Sequence, residues 1–409
     1  MLIPFILALL IITYFLHSRL FPPQPIPISP PTTLEAHRSI ADFSALGANS
    51  LSARLRLRAL PNARLITAFG LVNSFTTTDR TVHALFLRKA NAAIRGVDWA
   101  ALPALAENIL DRTTAHLRRP ADDDPRVPLA ALVRTSTLVL VLAVLFGTEP
   151  RAVELKHAQA AAEAINRLWL RSKSSAPSAY PASQDADRAL LAAALERLLP
   201  EQCAPRGKPA DHPLNLIIPA FETLWRVVLL AFVAATDTGA VDAETSARLA
   251  EAAADVQACC YGTEERRMVA LGFAKEGLRL YPPTKRIKRA LLDGPGIVEA
   301  DVEKCHRDTA IWGADALRFR PARFDPAALT PRMRRAYMPF GVGKHQCPAA
   351  AGFGERMVAL LILVLVRRFG VDAGGKLVRF DGEKACEGKG EGGVLPSCRH
   401  EMEAWTIRV

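Results

Sequence analysis

The chain has 409 residues, of which 50% are apolar and 23% charged, so a wholly disordered chain is not expected. Lysine and arginine exceed aspartate and glutamate by 52 − 41 = 11, a surplus that suits nucleic acid, anionic lipid or an acidic electron-transfer protein. The seven cysteines are odd in number and form no CxxC pair, which argues against a secreted disulfide scaffold and against a zinc ribbon. The basic residues are scattered without interleaved aromatic side chains, so nucleic-acid binding is not expected.

Residues 1–21 are predicted to form an N-terminal membrane anchor. Residues 1–16 carry no charge, and a spanning helix needs about 20 apolar residues. Leu20 and Phe21 extend the segment if the Arg19 side chain reaches the interface. A cleaved signal peptide is the alternative, but the segment has no basic start and no small-residue cleavage site. Because Arg19 follows the apolar stretch, the positive-inside rule places the rest of the chain in the cytosol.

A proline-rich hinge, residues 22–33, follows the anchor. Prolines occupy positions 22, 23, 25, 27, 30 and 31. Proline favours an extended backbone, so this segment predicts a stiff spacer that holds residues 34–409 away from the bilayer.

The body of the chain is predicted to be mainly α-helical with small β-sheets. Alanine, leucine, arginine and glutamate favour helices, and they dominate residues 102–117, 152–170, 189–199 and 243–258. Polar stretches predict surface loops at 171–188 and 203–213, and short strand-like pieces lie at 376–380 and 403–409. Residues 137–146 and 357–366 are apolar all round but too short to span a bilayer, so they predict core helices.

Residues 214–236 form the longest apolar segment after the anchor. A second membrane span is one interpretation, but Glu222 and Arg226 lie in its middle, and charges at the centre of a bilayer are costly. We therefore predict a long buried helix through the centre of the domain.

Cys347 follows His345 by two residues in the stretch FGVGKHQCPA, and an apolar helix is predicted directly after it, over residues 352–366. A helix N-terminus lowers the pKa of a thiol, and the glycines of the stretch let backbone N–H groups approach the sulfur. From the residues alone three interpretations stay open: a thiolate metal ligand, a catalytic Cys–His pair, or an inert thiol.

Glu276 and Arg279 are three residues apart on a predicted helix, which places the carboxylate and the guanidinium on one face. Alone, such a pair is more often a solvent-exposed ion pair. Residues 312–326, WGADALRFRPARFDP, place Arg320 and Arg323 between aromatic residues, which is unusual for a solvated loop. Arg323 is therefore a candidate to complete a buried Glu–Arg–Arg cluster.

Together, three sequence patterns resemble those of the cytochrome P450 family of haem-thiolate monooxygenases. The patterns are Phe-x-x-Gly-x-(Arg/His)-x-Cys-x-(Gly/Ala) at Phe340, Gly343, His345, Cys347 and Ala349, Glu-x-x-Arg at Glu276 and Arg279, and Pro-x-Arg-Phe at Pro321, Arg323 and Phe324. Their order fits the family, with 347 − 276 = 71 residues between the acid and the cysteine. The resemblance is to a fungal microsomal member, although the region between the hinge and residue 88 is shorter than usual and Ala349 stands where glycine is usual.

The resemblance implies a role for each matching residue. Cys347 would be the thiolate ligand of the haem iron, Phe340 would shield the sulfur, and Gly343 would be one of the cofactor-binding residues. His345, Arg289 and, with a weaker match, Arg88 would bind the haem propionates, since carboxylates need cations. Glu276, Arg279 and Arg323 would form the structural cluster.

An oxygen-activating acid–alcohol pair is expected on the central helix. The best match to the family pattern is Glu222 and Thr223, with Ala220 in place of glycine and Pro219 before it. Proline removes a helix hydrogen bond and kinks the helix, which we expect to open a groove there. The alternative pair is Asp237 and Thr238.

The resemblance implies a monooxygenase that inserts one oxygen atom of O2 into a lipophilic substrate, with haem b as cofactor. The sequence shows no flavin or nicotinamide motif, so electrons are expected from NADPH through a partner NADPH-cytochrome reductase. The implied location is the endoplasmic reticulum membrane, with residues 34–409 as a cytosolic catalytic domain. Two alternatives are a haem-thiolate isomerase or dehydratase that needs no reductase, and a degenerate, non-catalytic protein.

Overall fold

The computed structural model describes residues 32–118, 126–173, 181–203, 207–236 and 241–370, and the short C-terminal segments 378–380, 394–395, 402–403 and 405–408. The predicted anchor and all but the last two residues of the predicted hinge lie outside the described residues. The described part is mainly helical with two small antiparallel sheets, which confirms the predicted fold class.

Five strands form the two sheets: β1 (Arg126–Pro128), β2 (Arg286–Ala290), β3 (Ile297–Asp301), β4 (Val378–Phe380) and β5 (Trp405–Arg408). The first sheet has the order β1-β5-β4, so a strand near the C-terminus is paired with one in the first third of the chain. The second is the hairpin β2–β3, in which Arg286 is opposite Asp301 and Ala290 is opposite Ile297. Both strands of the hairpin are polar on one side, as expected for a sheet that packs on one face only.

Three short helices open the described chain: α1 (Leu34–Ala41), α2 (Leu51–Ala59) and α3 (Ala63–Phe69). The Thr33 side chain caps α1 by accepting the backbone N–H of Ala36 at 3.2 Å. His37 on α1 accepts the backbone N–H of Asp301 at 3.0 Å, which ties α1 to the hairpin β2–β3. The N-terminal helices therefore pack next to residues that lie more than 200 positions later in the chain.

The remaining helices build the body of the protein. They are α4 (Arg80–Arg95), α5 (Leu102–Leu117), α6 (Leu129–Phe146), α7 (Leu155–Arg171), α8 (Pro181–Leu198), α9 (Leu214–Thr236), α10 (Ala243–Ala254), α11 (Ala258–Tyr261), α12 (Glu264–Leu280), α13 (Val302–Arg307), α14 (Thr309–Trp312), α15 (Pro331–Ala336) and α16 (Phe353–Phe369).

The core lies between α6, α9, α12 and α16. α6 and α9 are long and apolar enough to cross a membrane, but about three quarters of each stretch is buried inside the protein, as expected for core helices. α12 approaches α9 closely at Gly277, where a Cβ atom would lie 2.5 Å from the Cβ of Ala231. Glycine at this position lets the two helices pack backbone against side chain.

Two predicted boundaries are wrong for physical reasons. α6 begins at Leu129, earlier than the predicted residue 137; the prediction followed the apolar run only, whereas polar Arg134 is also buried in this helix, where it forms an ion pair with Glu403. The predicted loop 171–188 contains the start of α8, which begins at Pro181. Proline is favoured at the first helical position, where its missing N–H has no partner to lose.

Candidate active site

Residues 340–347 form a glycine-shaped loop that ends at Cys347. Gly341 and Gly343 have φ angles of 71° and 72°, in the left-handed region that favours glycine. The backbone N–H of Cys347 donates to the carbonyl of Phe340 at 2.9 Å, which closes the loop. Gly343 is also sterically required, because a Cβ atom there would lie 2.8 Å from the Cβ of Asp42.

The Phe340 side chain fixes this loop on α16. A Cβ atom on Gly354, in the first turn of α16, would lie 2.6 Å from the Phe340 ring. The ring therefore occupies the space that a larger residue would fill, and it packs against the main hydrophobic core. This contact therefore fixes the Phe340 end of the loop that carries Cys347.

The thiol of Cys347 is exposed to solvent, although protein atoms surround it on most sides. Burial by these protein atoms raises the pKa of the Cys347 thiol. A hydrogen bond with the backbone of Ala349 and the charge of Arg58 lower it. A 3₁₀ turn over Pro348–Ala350 separates Cys347 from the start of α16, so the thiol does not lie in the first turn of that helix. A bound metal cation would hold this sulfur as a thiolate.

His345 contacts arginines rather than pairing with Cys347. Its Nε2 and Nδ1 atoms lie 3.3 Å from Arg54 Nε and 3.3 Å from Arg58 Nη1, respectively. Burial, together with the charges of Arg58, His83, Arg54 and Arg289, lowers the pKa of His345 to about 3. The imidazole is therefore neutral, and this geometry disfavours the catalytic Cys–His pair.

Arg289, on β2, lies next to this group. It is buried, and its guanidinium stacks over the Phe43 ring at 4.1 Å, while the same ring lies 5.2 Å from His345. Its Nη2 donates to the carbonyl of Ala41 at 3.0 Å, but its buried Nε has no partner in the described part of the chain. Burial and the charge of Arg58 lower the pKa of Arg289 to about 9, so it stays charged at neutral pH.

α4 contributes His83 to the same region, whereas Arg88 points elsewhere. The His83 ring is buried 5.4 Å from the His345 ring, and its Nδ1 lies 2.8 Å from the Ser74 hydroxyl. Arg88 is exposed and lies five residues further along the helix. At about 100° per residue, five residues correspond to a rotation of about 140°, so the two side chains leave different faces.

Glu276, Arg279 and Arg323 meet in a buried cluster behind the Cys347 loop. Glu276 and Arg279 have 0% exposure and form two ion-pair contacts of 2.7 Å. Arg323 Nε lies 3.4 Å from the same carboxylate, which also accepts the backbone N–H of Arg320 at 2.9 Å. Arg279 Nη1 donates to the carbonyls of His306 and Ala316, so the cluster is fully paired.

His306 links this cluster to the Cys347 loop. Its Nδ1 lies 3.0 Å from the Arg279 carbonyl, and its Nε2 accepts the backbone N–H of Met338 at 2.9 Å. Burial and the charge of Arg279 lower the pKa of His306 to about 3, so the ring is neutral, and the two contacts require Nδ1 to carry the proton. No sequence pattern indicates this residue, because both of its partners are backbone groups.

Pro219 lies inside α9, and a neighbouring loop satisfies the carbonyl that the proline leaves free. Proline has no N–H, so the Asn215 carbonyl loses its usual helical donor. Asn73 donates to this carbonyl through Nδ2 at 3.0 Å, and the Asn215 side chain accepts the backbone N–H of Val72 at 2.8 Å. Asn73 and Asn215 are both buried, so this pair joins the loop before α4 to the kinked helix.

Thr223 and Glu222 lie on different faces of α9. Thr223 is half-buried on the face that carries Leu216, Pro219 and Ala220, and its hydroxyl donates to the Pro219 carbonyl at 2.8 Å. Glu222 is buried, with 3% exposure. The alternative pair, residues 237 and 238, lies outside the described part of the chain.

Sequence and structure comparisons identify the class of protein. The sequence profile described as Cytochrome P450 matches residues 255–383, which include the Glu276 cluster and the Cys347 loop. A benzoate 4-monooxygenase of Aspergillus niger is 39% identical over 72 residues, 17% of this chain and 13% of that protein. Cytochrome P450 71A16 of Arabidopsis thaliana is 36% identical over 107 residues, 23% of this chain and 21% of that protein. Each match thus spans about a fifth or less of the relative's length.

Solved structures extend the similarity over most of the chain. A six-coordinated cytochrome P450 from Thermus thermophilus aligns with a TM-score of 0.58 and 19% identity, covering 89% of this chain and 90% of that one. A second P450, from another strain of the same organism, has a TM-score of 0.57 and 18% identity, covering 83% and 82%. Residues 255–383 therefore match the cytochrome P450 family, and the chain has the fold of solved cytochrome P450 structures.

The Glu276 cluster predicts a large stability effect for one substitution. Glu276→Ala leaves the buried Arg279 without its carboxylate, while Arg323 keeps Asp315 at 2.8 Å, and one stranded buried charge costs about 3–5 kcal/mol. Glu299→Ala is the matched control, because the Glu299 pairs with Arg286 and Lys288 are exposed and worth about 0–1 kcal/mol. Urea unfolding followed by circular dichroism measures both; equal midpoints for the two variants would contradict a structural role for Glu276.

The proline kink predicts coupling between Asn73 and Pro219. Asn73→Ala leaves the Asn215 carbonyl unpaired and costs about 1–3 kcal/mol. In a Pro219→Ala background the new backbone N–H at residue 219 can donate to that carbonyl, so the cost should fall.

The four proteins of this double-mutant cycle are compared by urea unfolding. Asn73 also accepts the backbone N–H of Phe75 at 3.0 Å, but that bond is lost in both backgrounds and cancels. Strictly additive effects would show that Asn73 does not compensate for the proline.

Proposed function

We propose that this protein is a haem-thiolate monooxygenase that inserts one oxygen atom of O2 into a lipophilic organic substrate. The observation that carries this proposal is the arrangement of Cys347, an accessible thiol on a rigid loop, beside the half-buried Arg58 and the buried Arg289. Haem requires an axial ligand for its iron and cations for its two carboxylates, and these residues fit both needs. Bound haem supplies the iron centre at which O2 is activated.

The residues of the loop have distinct roles in this proposal. Cys347 ligates the iron, and Phe340 covers the loop from the side of α16. Arg289 binds the carboxylate end of the haem, because its buried Nε–H is a free donor there, and the neutral His345 lies beside it. The left-handed turn at Gly343 gives the loop the shape that presents the sulfur.

Glu222 and Thr223 deliver protons for oxygen activation. The supporting observation is the half-buried face of α9 that holds Pro219, Ala220 and Thr223, while the helix faces on either side are buried. A proline kink widens a helix at this face, and the Thr223 hydroxyl lies at the kink because it donates to the Pro219 carbonyl. Glu222 supplies protons from the interior side.

Electrons reach the site from NADPH through a separate reductase, because the sequence holds no flavin or nicotinamide motif. The net charge of +11 suits an acidic partner surface. Residues 1–21 anchor the protein in the endoplasmic reticulum membrane, with residues 34–409 in the cytosol as a catalytic domain, and the substrate is a lipophilic small molecule. The fungal and plant relatives fit a microsomal enzyme of this kind.

One observation favours a second candidate, a haem-thiolate isomerase or dehydratase. The Thr223 hydroxyl donates a hydrogen bond to the Pro219 carbonyl of its own helix, and Glu222 lies on a different face of that helix. An enzyme that rearranges an oxygenated substrate needs neither a proton relay nor a reductase.

Turnover under ¹⁸O₂ separates the two functions. The full chain is reconstituted with haem, a reductase and NADPH, and lipophilic substrates are first selected by their binding-induced spectral shift. A monooxygenase incorporates one ¹⁸O atom into each product molecule and requires NADPH. Product that forms without NADPH and carries no ¹⁸O would establish the isomerase or dehydratase instead.

Thr223→Ala is expected to uncouple the reaction. Without the hydroxyl, NADPH consumption continues, while product yield falls and hydrogen peroxide release rises; a positioned proton donor contributes about 10²–10⁴-fold to its step. Thr236→Ala is the matched control, because Thr236 also donates to its own helix, to the Phe232 carbonyl at 2.8 Å, at the far end of α9. Product and peroxide are quantified per NADPH; the same coupling ratio in both variants would remove Thr223 from the relay.

A further inference from the structure

α2 brings two arginines into the region beside Cys347. Arg54 and Arg58 are four residues apart and therefore share one face of the helix, whereas Arg56 lies between them and is exposed. Arg54 donates to the carbonyls of Ala48 and Asn49 at 3.1 and 2.8 Å, and Arg58 donates to the Ser74 hydroxyl at 3.0 Å. Both guanidinium groups also lie 3.3 Å from a nitrogen of His345.

With Arg289 these residues form a group of three guanidinium ions, which we call the arginine cluster. Within the described segments no carboxylate forms a salt bridge with Arg54, Arg58 or Arg289. The other polar side chains at the cluster are the imidazoles of His83 and His345 and the hydroxyl of Ser74, and none of them is an acid. The cluster therefore holds positive charge without a negative partner.

Such an arrangement is unfavourable in the protein alone. Burial and the neighbouring cation lower the pKa of Arg289 to about 9, and burial lowers the pKa of Arg58 to about 10. Both side chains nevertheless stay charged at neutral pH, so their mutual repulsion is not relieved by proton loss. A buried charge of this kind requires an anion within hydrogen-bond distance.

The arginine cluster is close to the sulfur of Cys347. His345, which contacts both α2 arginines, lies two residues before Cys347 on the same loop. An anion bound by the cluster therefore belongs to a ligand that also reaches Cys347. Arg88, the family-based candidate for this role on α4, is exposed.

We propose that Arg54 and Arg58 of α2, together with Arg289, bind the two carboxylates of haem, so that α2 takes the role expected of Arg88 on α4. This inference rests on the proposed function, because it assumes that haem occupies the site. Guanidinium groups suit the task, since their planar donor pairs match the two oxygens of a carboxylate.

The test measures haem retention rather than turnover. The full chain is loaded with haem, and the rate of haem transfer to excess apomyoglobin is followed by absorbance. Arg54→Gln and Arg58→Gln should each accelerate haem loss by about tenfold or more, because hydrogen bonds to charged groups are worth about 1.5–3 kcal/mol. The exposed Arg56→Gln and Arg88→Gln variants should lose haem at the wild-type rate.

Two further measurements separate carboxylate binding from a structural role. When the proteins are loaded with haem dimethyl ester, which has no carboxylate charge, the difference between wild type and the α2 variants should disappear. In the haem-free proteins, Arg58→Gln should leave the melting temperature unchanged or raise it, because it relieves repulsion within the cluster.

The outcomes distinguish this inference from the proposed function. Faster haem loss in Arg88→Gln with no change in Arg54→Gln and Arg58→Gln would return the role to α4 and overturn the inference alone. An effect of the α2 variants that persists with the dimethyl ester, or a lowered melting temperature of haem-free Arg58→Gln, would show a structural role. A wild-type chain that binds no haem would overturn both the inference and the proposed function.

Discussion

The position of the Cys347 loop depends on the ion pairs and hydrogen bonds of the buried Glu276 carboxylate. It neutralises two buried guanidinium groups and accepts a backbone N–H from the segment that follows α14. Arg279, held by this carboxylate, orders the backbone at His306 and Ala316. His306 in turn accepts the backbone N–H of Met338, two residues before Phe340, and so fixes that segment. A single buried anion thus fixes, through protein groups alone, the segment that leads to Cys347.

Buried charge is compensated in one cluster next to the Cys347 loop and not in the other. In the Glu276 cluster each guanidinium has a carboxylate or carbonyl partner. In the arginine cluster no carboxylate pairs with the guanidinium groups in the described part of the chain. The first arrangement stabilises the fold, and the second is the one that we propose as the binding site for an anionic ligand.

The features that sequence could predict are those with local spacing. The three-residue spacing of Glu276 and Arg279 and the aromatic neighbours of Arg323 indicated a cluster, and in the structure both arginines form ion pairs with Glu276. The apolar run with charges in its middle likewise predicted a helix with the bounds found for α9. Both signals depend on residues that lie close together in the chain or carry a distinct pattern.

The remaining features depend on contacts between distant segments. Arg54 and Arg58 belong to no sequence pattern named above, and the packing of α2 near residues 289 and 345 reveals the arginine cluster. Asn73 compensates for Pro219 across 219 − 73 = 146 residues of chain, and no motif records that bond. The raised pKa of Cys347 comes from burial by the surrounding protein, which a helix-terminus argument does not include.

The most direct measurement of the central claim, that Cys347 ligates haem iron as a thiolate, is the carbon monoxide difference spectrum of the reduced, haem-loaded full chain. Thiolate ligation distinguishes this haem electronically from a histidine-ligated one. We predict a red-shifted Soret band in the wild-type protein and in a Cys203→Ser control, and its loss in Cys347→Ser. A wild-type band at the position of histidine-ligated haem, or a red-shifted band that persists in Cys347→Ser, would contradict the claim.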